Sequence, residues 1–321
     1  MRVAVTGGAG FIGSHLVDAL VARGDEVLVV DDLSTGEREN LNPGASFEQI
    51  DIRAAELGEV ITGWRPHAIC HLAAQMSVST SVREPLFDAS VNLTGALHVL
   101  EAARRADARL LFSSTGGALY GDADVLPTPE TEPAWPVSPY GVAKLAFEHY
   151  LHCYRVAHGL RYAALRYANV YGPRQNPHGE AGVVAIFCLR LLRGEPAVIN
   201  GDGTFTRDYV YVDDVVRANL AALDDGDVGH FNVGTGRQVS VNEIFHLLTE
   251  KLGLDVEEVH GPPRPGDQRT SALDSTLIAE KLGWRPQVDL GEGLGRTAAW
   301  FKERVRGDSA GTSPQLSQHL D

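Results

Sequence analysis

Short, mostly apolar runs recur along the first half of the chain, at 2–5, 26–30, 47–50, 68–72, 109–112 and 161–165. Runs of this length with little polar alternation are the pattern of strands buried in a parallel sheet. Between them lie stretches with apolar residues three and four apart, at 14–23, 86–106 and 140–158, which predict helices. Strand and helix in turn predict an α/β fold with a doubly wound parallel sheet. The last of these helices carries apolar residues over an arc of roughly 240° at 100° per residue, wider than one core face requires. It is expected to be buried on two sides, by the sheet and by a second copy of the chain.

Beyond Pro173 the strict alternation breaks. Strands are expected at 197–200, 206–212 and 230–233, and helices at 183–193, 213–223, 240–252, 275–282 and 290–306, with Ser240 capping the third. This divides the chain into a larger domain over 1–174, joined by 206–235, and a smaller α/β substrate domain from 175–205 and 236–306. The polar stretch 307–321 is expected to be disordered.

The chemistry begins where the first strand ends. Gly8, Gly10 and Gly13 fit G-x-G-x-x-G between a strand and a helix, the context in which that pattern binds a dinucleotide. The glycines allow a tight turn and a close approach of backbone N–H groups to a pyrophosphate, which then faces the helix N-terminus. Asp31 ends the second strand, followed by Asp32-Leu33-Ser34-Thr35-Gly36. A carboxylate there accepts hydrogen bonds from ribose hydroxyls and repels a 2′-phosphate, so NAD is expected rather than NADP. Ala73 and Ala74 are small enough to let a cofactor lie across the fourth strand. Asn92, inside an apolar helix, either reaches the cofactor or is a satisfied core polar group.

Ser138-Pro139 reads as the start of the 140–158 helix, and Tyr140 and Lys144 then share one of its faces. An ammonium beside a phenol favours the phenolate, so Tyr140 is a candidate base for a sugar hydroxyl. The fifth strand delivers Ser113-Ser114-Thr115-Gly116-Gly117, read as a turn whose hydroxyls could hydrogen-bond the same oxygen.

Composition narrows the partners. With 28 basic against 42 acidic residues the net charge is −14, which disfavours nucleic acid. An anionic small substrate would need a local basic pocket. Cys70, Cys153 and Cys188 lie far apart and suggest neither a disulfide framework nor a metal site. The chain opens on a strand and no apolar run is long enough to span a bilayer, so a cytoplasmic location is expected.

Together these residues resemble the extended short-chain dehydrogenases/reductases acting on nucleotide-sugars, and among them the UDP-glucose (UDP-galactose) 4-epimerases. The resemblance runs from Met1 to about Arg306. It is carried by 6–14, 30–36, His71-Leu72-Ala73-Ala74, 138–144, 165–174, 206–214, 232–236 and Arg264-Pro265-Gly266-Asp267. It implies a Rossmann domain, bound NAD, a UDP-sugar substrate and a homodimer. By the same resemblance Gly7, Gly10, Phe11 and Ile12 line the pyrophosphate, and Asp31 with the residues to Gly36 surrounds the ribose. Asp51 and Ile52 lie at the adenine, Leu72, Ala73 and Ser113 along the cofactor, and Tyr167 near the nicotinamide. Tyr140 is the base, Lys144 its tuning partner and Thr115 the working hydroxyl, although Ser114 competes for that role because the stretch is one residue longer than usual. Asn169, Arg207, Arg264 and Asp267 match positions that grip the nucleotide diphosphate and its ribose. Ser271 stands where relatives restricted to plain hexoses carry tyrosine, so the N-acetyl sugars are expected to fit as well.

Dehydratases of this family carry an Asp-Glu pair after the threonine, where this chain has Gly116 and Gly117. The expected reaction is therefore NAD-dependent 4-epimerisation through a 4-keto sugar. Two alternatives stay open: epimerisation or decarboxylation of UDP-glucuronate, and a non-catalytic NAD sensor.

Overall fold

The computed structural model describes residues 1–178, 182–226, 228–263 and 268–309. Its first half alternates strand and helix except for the direct step from β2 to β3: β1 (Arg2–Thr6), α1 (Phe11–Ala22), β2 (Glu26–Asp31), β3 (Ser46–Gln49), α2 (Leu57–Trp64) and β4 (Ala68–His71). The short helices α3 (Val78–Arg83) and α4 (Pro85–Ala89) follow, then a π-helical turn (Ser90–Gly95) and α5 (Ala96–Ala106). Next come β5 (Arg109–Thr115), α6 (Gly116–Leu119), α7 (Pro139–His158), β6 (Tyr162–Tyr167) and β7 (Asn169–Tyr171).

In the second half, α8 (Val183–Leu192), β8 (Val198–Asn200), β9 (Thr206–Arg207), β10 (Tyr209–Tyr211), α9 (Val212–Asp225) and β11 (Gly229–Val233) lead into β12 (Val239–Ser240) and α10 (Val241–Leu252). The chain ends with β13 (Val259–Gly261), α11 (Thr276–Leu282) and α12 (Leu290–Ser309). Ser240 does cap α10, its Oγ accepting from the Glu243 N–H at 3.1 Å.

Seven strands form one sheet in the order β11-β6-β5-β4-β1-β2-β3, and every pairing is parallel. The order reverses at β1, so the crevice at the carboxyl ends of β1 and β4 is where such a sheet binds ligands. Two buried clusters cover its faces: Val3, Val5, Leu16, Val29 and Leu165 on one, Ala4, Leu28, Leu100, Phe112 and Phe147 on the other. A third buried cluster gathers Phe187, Ile199, Phe245, Leu294 and Phe301. Residues 206–235 return to the sheet through β11. Ile278 and Trp284 also pack with the sheet cluster, although they fall inside the expected 236–306 segment.

Four expectations are corrected. The 109–112 strand runs on to Thr115, and Gly116 starts a helix, so this stretch is not a turn. The 86–106 helix is three pieces joined by the π turn. The 206–212 strand breaks at Asp208, whose buried carboxylate pulls the backbone of two other segments toward it. The last helix reaches Ser309, three residues past its expected end; residues 310–321 lie outside the described residues.

Candidate active site

The glycine loop forms because side chains would collide there. A Cβ on Gly7, which has φ +73°, would lie 2.6 Å from the Ala73 backbone N, and one on Gly13 would lie 2.1 Å from the Gly7 carbonyl. The loop thus presses the ends of β1 and β4 together. The helix α1 begins at Phe11, and its first carbonyl-bound donor is the Ser14 N–H, to Gly10 O at 3.0 Å. Its N-cap is Gly10, with no side chain to satisfy the donors of the first turn. That leaves an N-terminus suited to an anion.

Asp31 ends β2 and is 7% exposed. It accepts from the Ala9 N–H at 3.0 Å and the Leu33 N–H at 2.9 Å. Leu33 has φ +61°, which curls the chain back toward the carboxylate, and a Cβ on Gly36 would come within 2.9 Å of its Oδ1. Burial pushes the Asp31 pKa up, and the two N–H donors work against that. Asp32, Ser34 and Thr35 stand exposed on the rim, Asp32 taking the Ser34 N–H and hydroxyl at 2.9 and 2.6 Å. A cradle with no room for a Cβ, a donor-rich helix start and a buried carboxylate fit a dinucleotide.

Other expected cofactor residues divide. Leu72, Ala73 and Ala74 line the end of β4, half-buried, with Leu72 N–H on Thr6 O at 3.0 Å. Asp51 pairs with Arg53 at 2.5 Å, and Ile52 is a core residue packed beneath Gly95. Tyr167 is buried, with its hydroxyl and the Asn219 amide within 2.8–3.0 Å. Asn92 is fully committed inside the protein. Its Oδ1 accepts from the Gln75 N–H at 3.0 Å, and its Nδ2 donates to Gln75 O and Asp88 Oδ1, each at 2.8 Å. This is the satisfied-core reading.

Helix α7 is fixed at its start by Ser138, whose Oγ accepts from the Gly141 N–H, with Pro139 in the first turn. Tyr140 then faces Thr115 at the end of β5, and the two side chains hydrogen-bond. Burial first, and the Asp88 charge second, push the Tyr140 pKa up to about 12, while Thr115 acts in the opposite sense. Lys144 donates to Ser113 O at 2.8 Å and lies 4.7 Å from the Phe112 ring centroid and 5.7 Å from that of Tyr140. Burial pushes it down to about 8, against the charges of Asp88 and Glu148. The expected depression of the tyrosine by the lysine is thus absent here, because burial dominates both groups. His71, beside them, bonds Thr6 Oγ1 at 2.7 Å and is pushed down to about 3 by burial and by Lys144, so it is neutral.

The two competing hydroxyls have separate places. Ser114 Oγ donates to Glu148 Oε1 at 2.5 Å, away from the tyrosine. Glu148 is held by Arg166 through three bonds of 2.6–3.2 Å, and Arg166 Nη1 donates to the Tyr120 hydroxyl at 2.7 Å. The chain of contacts ends at Asn232, which accepts from Tyr120 and anchors Thr128, Glu130 and Asp274. Periodicity missed this network, because Glu148 and Arg166 are 18 residues apart on different elements.

Across the cleft, Gly116 packs on Leu273 so tightly that a Cβ would sit 2.4 Å from Leu273 Cδ1. A Cβ on Gly117 would lie 3.4 Å from Asn169 Oδ1, which brings Asn169 to the same place. Leu273 is held by Asp208, whose carboxylate also takes the Thr235 N–H and hydroxyl and the Gly236 N–H at 2.6–3.1 Å. Asp208 was visible within the 206–214 motif but carried no assigned role. Arg207 lies next to it, and Ser271 N–H bonds Thr206 O at 3.2 Å, with Ser271 5% exposed rather than a solvated loop residue. Arg264 and Asp267 lie outside the described residues. No cluster among the described residues could hold a metal ion.

A family model described as the NAD dependent epimerase/dehydratase family matches residues 3–234. Three solved structures are similar over nearly the whole chain. A UDP-glucose 4-epimerase from Thermotoga maritima, crystallised with UDP-glucose, is 55% identical with a TM-score of 0.93, covering 95% of this chain and 100% of its own. A UDP-glucose 4-epimerase from Thermus thermophilus, in complex with NAD, is 48% identical with a TM-score of 0.90, covering 94% and 99%. A UDP-N-acetylglucosamine 4-epimerase from Methanobrevibacter ruminantium, in complex with UDP-N-acetylmuramic acid, is 35% identical with a TM-score of 0.90, covering 94% and 98%.

Proposed function

The chain belongs to the NAD dependent epimerase/dehydratase family, and from that premise we propose that it is an NAD-dependent 4-epimerase of UDP-sugars. One observation carries this reading: Tyr140, Thr115 and Lys144 converge at the carboxyl end of β5, beside a glycine loop and Asp31 built for a dinucleotide. The position after Thr115 separates this chemistry from elimination. An acidic side chain at Gly116 would have to displace Leu273, which Asp208 holds from behind.

In this reading Thr115 positions the sugar O4 and Tyr140 removes its proton. Lys144, fixed by Ser113 O, steadies the tyrosine and the ribose of the cofactor. NAD, when bound, supplies the acceptor for the C4 hydride and a positive charge that favours the phenolate. Gly7, Gly10, Phe11 and Ile12 would hold its pyrophosphate and Asp31 its adenosine ribose. Asn169 and Arg207, joined by Arg264 and Asp267, would hold the UDP diphosphate and its ribose while the 4-keto sugar turns over. With the hydride given back to the other face of C4, Tyr140 returns the proton to O4 of the epimeric alcohol.

Ser271 supports acceptance of N-acetyl sugars, since no ring fills its place next to Thr206. The outer face of α7 supports a homodimer. Val142, Tyr150 and Val156 are exposed on it, and Val82, Leu86 and Phe87 are exposed on α3 and α4, which pack against α7. Large apolar residues exposed on neighbouring helices are a mark of a contact surface. Three free cysteines, with Cys153 exposed, fit a reducing cytoplasm.

The test is to denature purified protein in acid and identify the released nucleotide, then follow UDP-glucose and UDP-N-acetylglucosamine by proton NMR. The reading expects NAD and conversion of both to the 4-epimers. Released NADP, or turnover only with stoichiometric added NADH, would contradict it.

A further inference from the structure

Asp88 is a buried carboxylate that this chemistry does not employ. It lies on α4, which packs against α7, and is 1% exposed. Its Oδ1 accepts from Gln75 Nε2 at 2.7 Å and Asn92 Nδ2 at 2.8 Å, while Oδ2 is buried without a hydrogen-bond partner. Asn92, which lies in the π turn, grips both Asp88 and the Gln75 backbone. Such turns recur at functional sites. Two neutral amides fix the carboxylate in place without cancelling its charge, and a buried charge acts at longer range than an exposed one.

We propose that Asp88 is a positioning residue for the Tyr140–Lys144 pair: its carboxylate, pinned by Gln75 and Asn92, sets the pH range over which that pair can pass the O4 proton. The proposal rests on the reading of Tyr140 as the base. The charge of Asp88 disfavours the Tyr140 phenolate and favours the Lys144 ammonium. Burial pushes the Asp88 pKa up, while the bonds from Gln75 and Asn92 and the Lys144 charge work in the opposite sense. The other charged groups around α4 are engaged elsewhere. Arg83 of α3 is exposed and paired with Glu84, and Arg53, stacked on Phe87, is paired with Asp51. From α7, Glu148 acts on Lys144 but is bound to Arg166. The π turn contributes only the neutral Asn92.

The experiment is Asp88→Asn, which keeps an oxygen for both amide donors and removes the charge. Losing that charge lowers the pKa of both Tyr140 and Lys144, so both limbs of the kcat–pH profile should move to lower pH by about 0.5–1. Tyrosinate absorbance near 295 nm, taken as the difference from a Tyr140→Phe background, should show Tyr140 ionising at correspondingly lower pH. Asp88→Glu, which keeps the charge, should hold both midpoints at their wild-type places even if kcat falls. A fall in kcat at every pH with both limbs unmoved, or an unmoved tyrosinate titration, would overturn the proposal. Should Asp88→Asn not fold, the 13Cγ shift of Asp88 in the wild-type protein decides. Ionisation across the range of activity supports the proposal, and a protonated Asp88 at the optimum overturns it. A displaced tyrosinate titration in a protein inactive on UDP-sugars would support the role of Asp88 and strike down the epimerase reading alone.

Discussion

Replacing Glu148 by glutamine removes one charge from a pair whose side chains are 6% and 7% exposed. Burial works against the Arg166 charge, and the bonds from Glu148 more than offset it, holding the guanidinium more firmly protonated than usual. With that partner neutral, Arg166 keeps a buried charge facing an amide, and Ser114 loses a charged acceptor. Breaking a buried pair from one side costs about 3–5 kcal/mol. Unfolding entropy of roughly 2.1 cal/mol/K per residue converts that, for a chain of 321 residues, into a fall in Tm of about 4–7 °C. Differential scanning calorimetry at matched scan rates reads it directly. Glu148→Gln/Arg166→Met removes both charges and should recover much of the loss, because apolar replacement of a buried pair is often neutral. A single-variant loss below about 1 °C would refute the reasoning. The pair would then be solvated and could not hold Ser114 away from the tyrosine.

Tyr140→Phe should lower kcat by on the order of 10² or more with little change in KM, because the proton acceptor is lost while its ring remains; steady-state rates on UDP-glucose check this. Thr115→Val should cost less than that, and Ser114→Ala less again, its main effect being on Tm; the reverse order of the last two would reassign the working hydroxyl. Ser271→Tyr should suppress turnover of UDP-N-acetylglucosamine and spare UDP-glucose, and equal loss of both would mean that Ser271 is not the gate. Sedimentation at micromolar concentration should show a dimer, and a monomer would leave the apolar face of α7 unexplained.

The parts of this molecule legible in sequence are those set by local rules. Glycines at fixed spacing after a strand, a carboxylate closing the next strand, and Ser-Pro before a tyrosine and lysine one turn apart each reveal their place without tertiary knowledge. What could not be read depends on partners far away in the chain. Lys144 and Glu148 face inward on α7 while Val142 and Val156 face out, so a count of apolar positions spreads the arc over both sides. Thr115 ends a strand rather than sitting in a turn because Tyr167 of β6 pairs with it, a residue 52 positions on. The break at Asp208 is set by four donors from segments 27 to 65 residues away. The π turn over Ser90–Gly95 is invisible to a 3.6-residue period, which reads one continuous helix.

The central claim is that the sugar loses and regains the same hydrogen at C4 within one site. UDP-glucose carrying deuterium at C4, converted without added cofactor, tests it most directly by mass spectrometry and deuterium NMR of the product. The account predicts UDP-galactose that keeps its deuterium at C4, with none appearing in water. Loss of the label to solvent, or a product labelled at any other carbon, would contradict it.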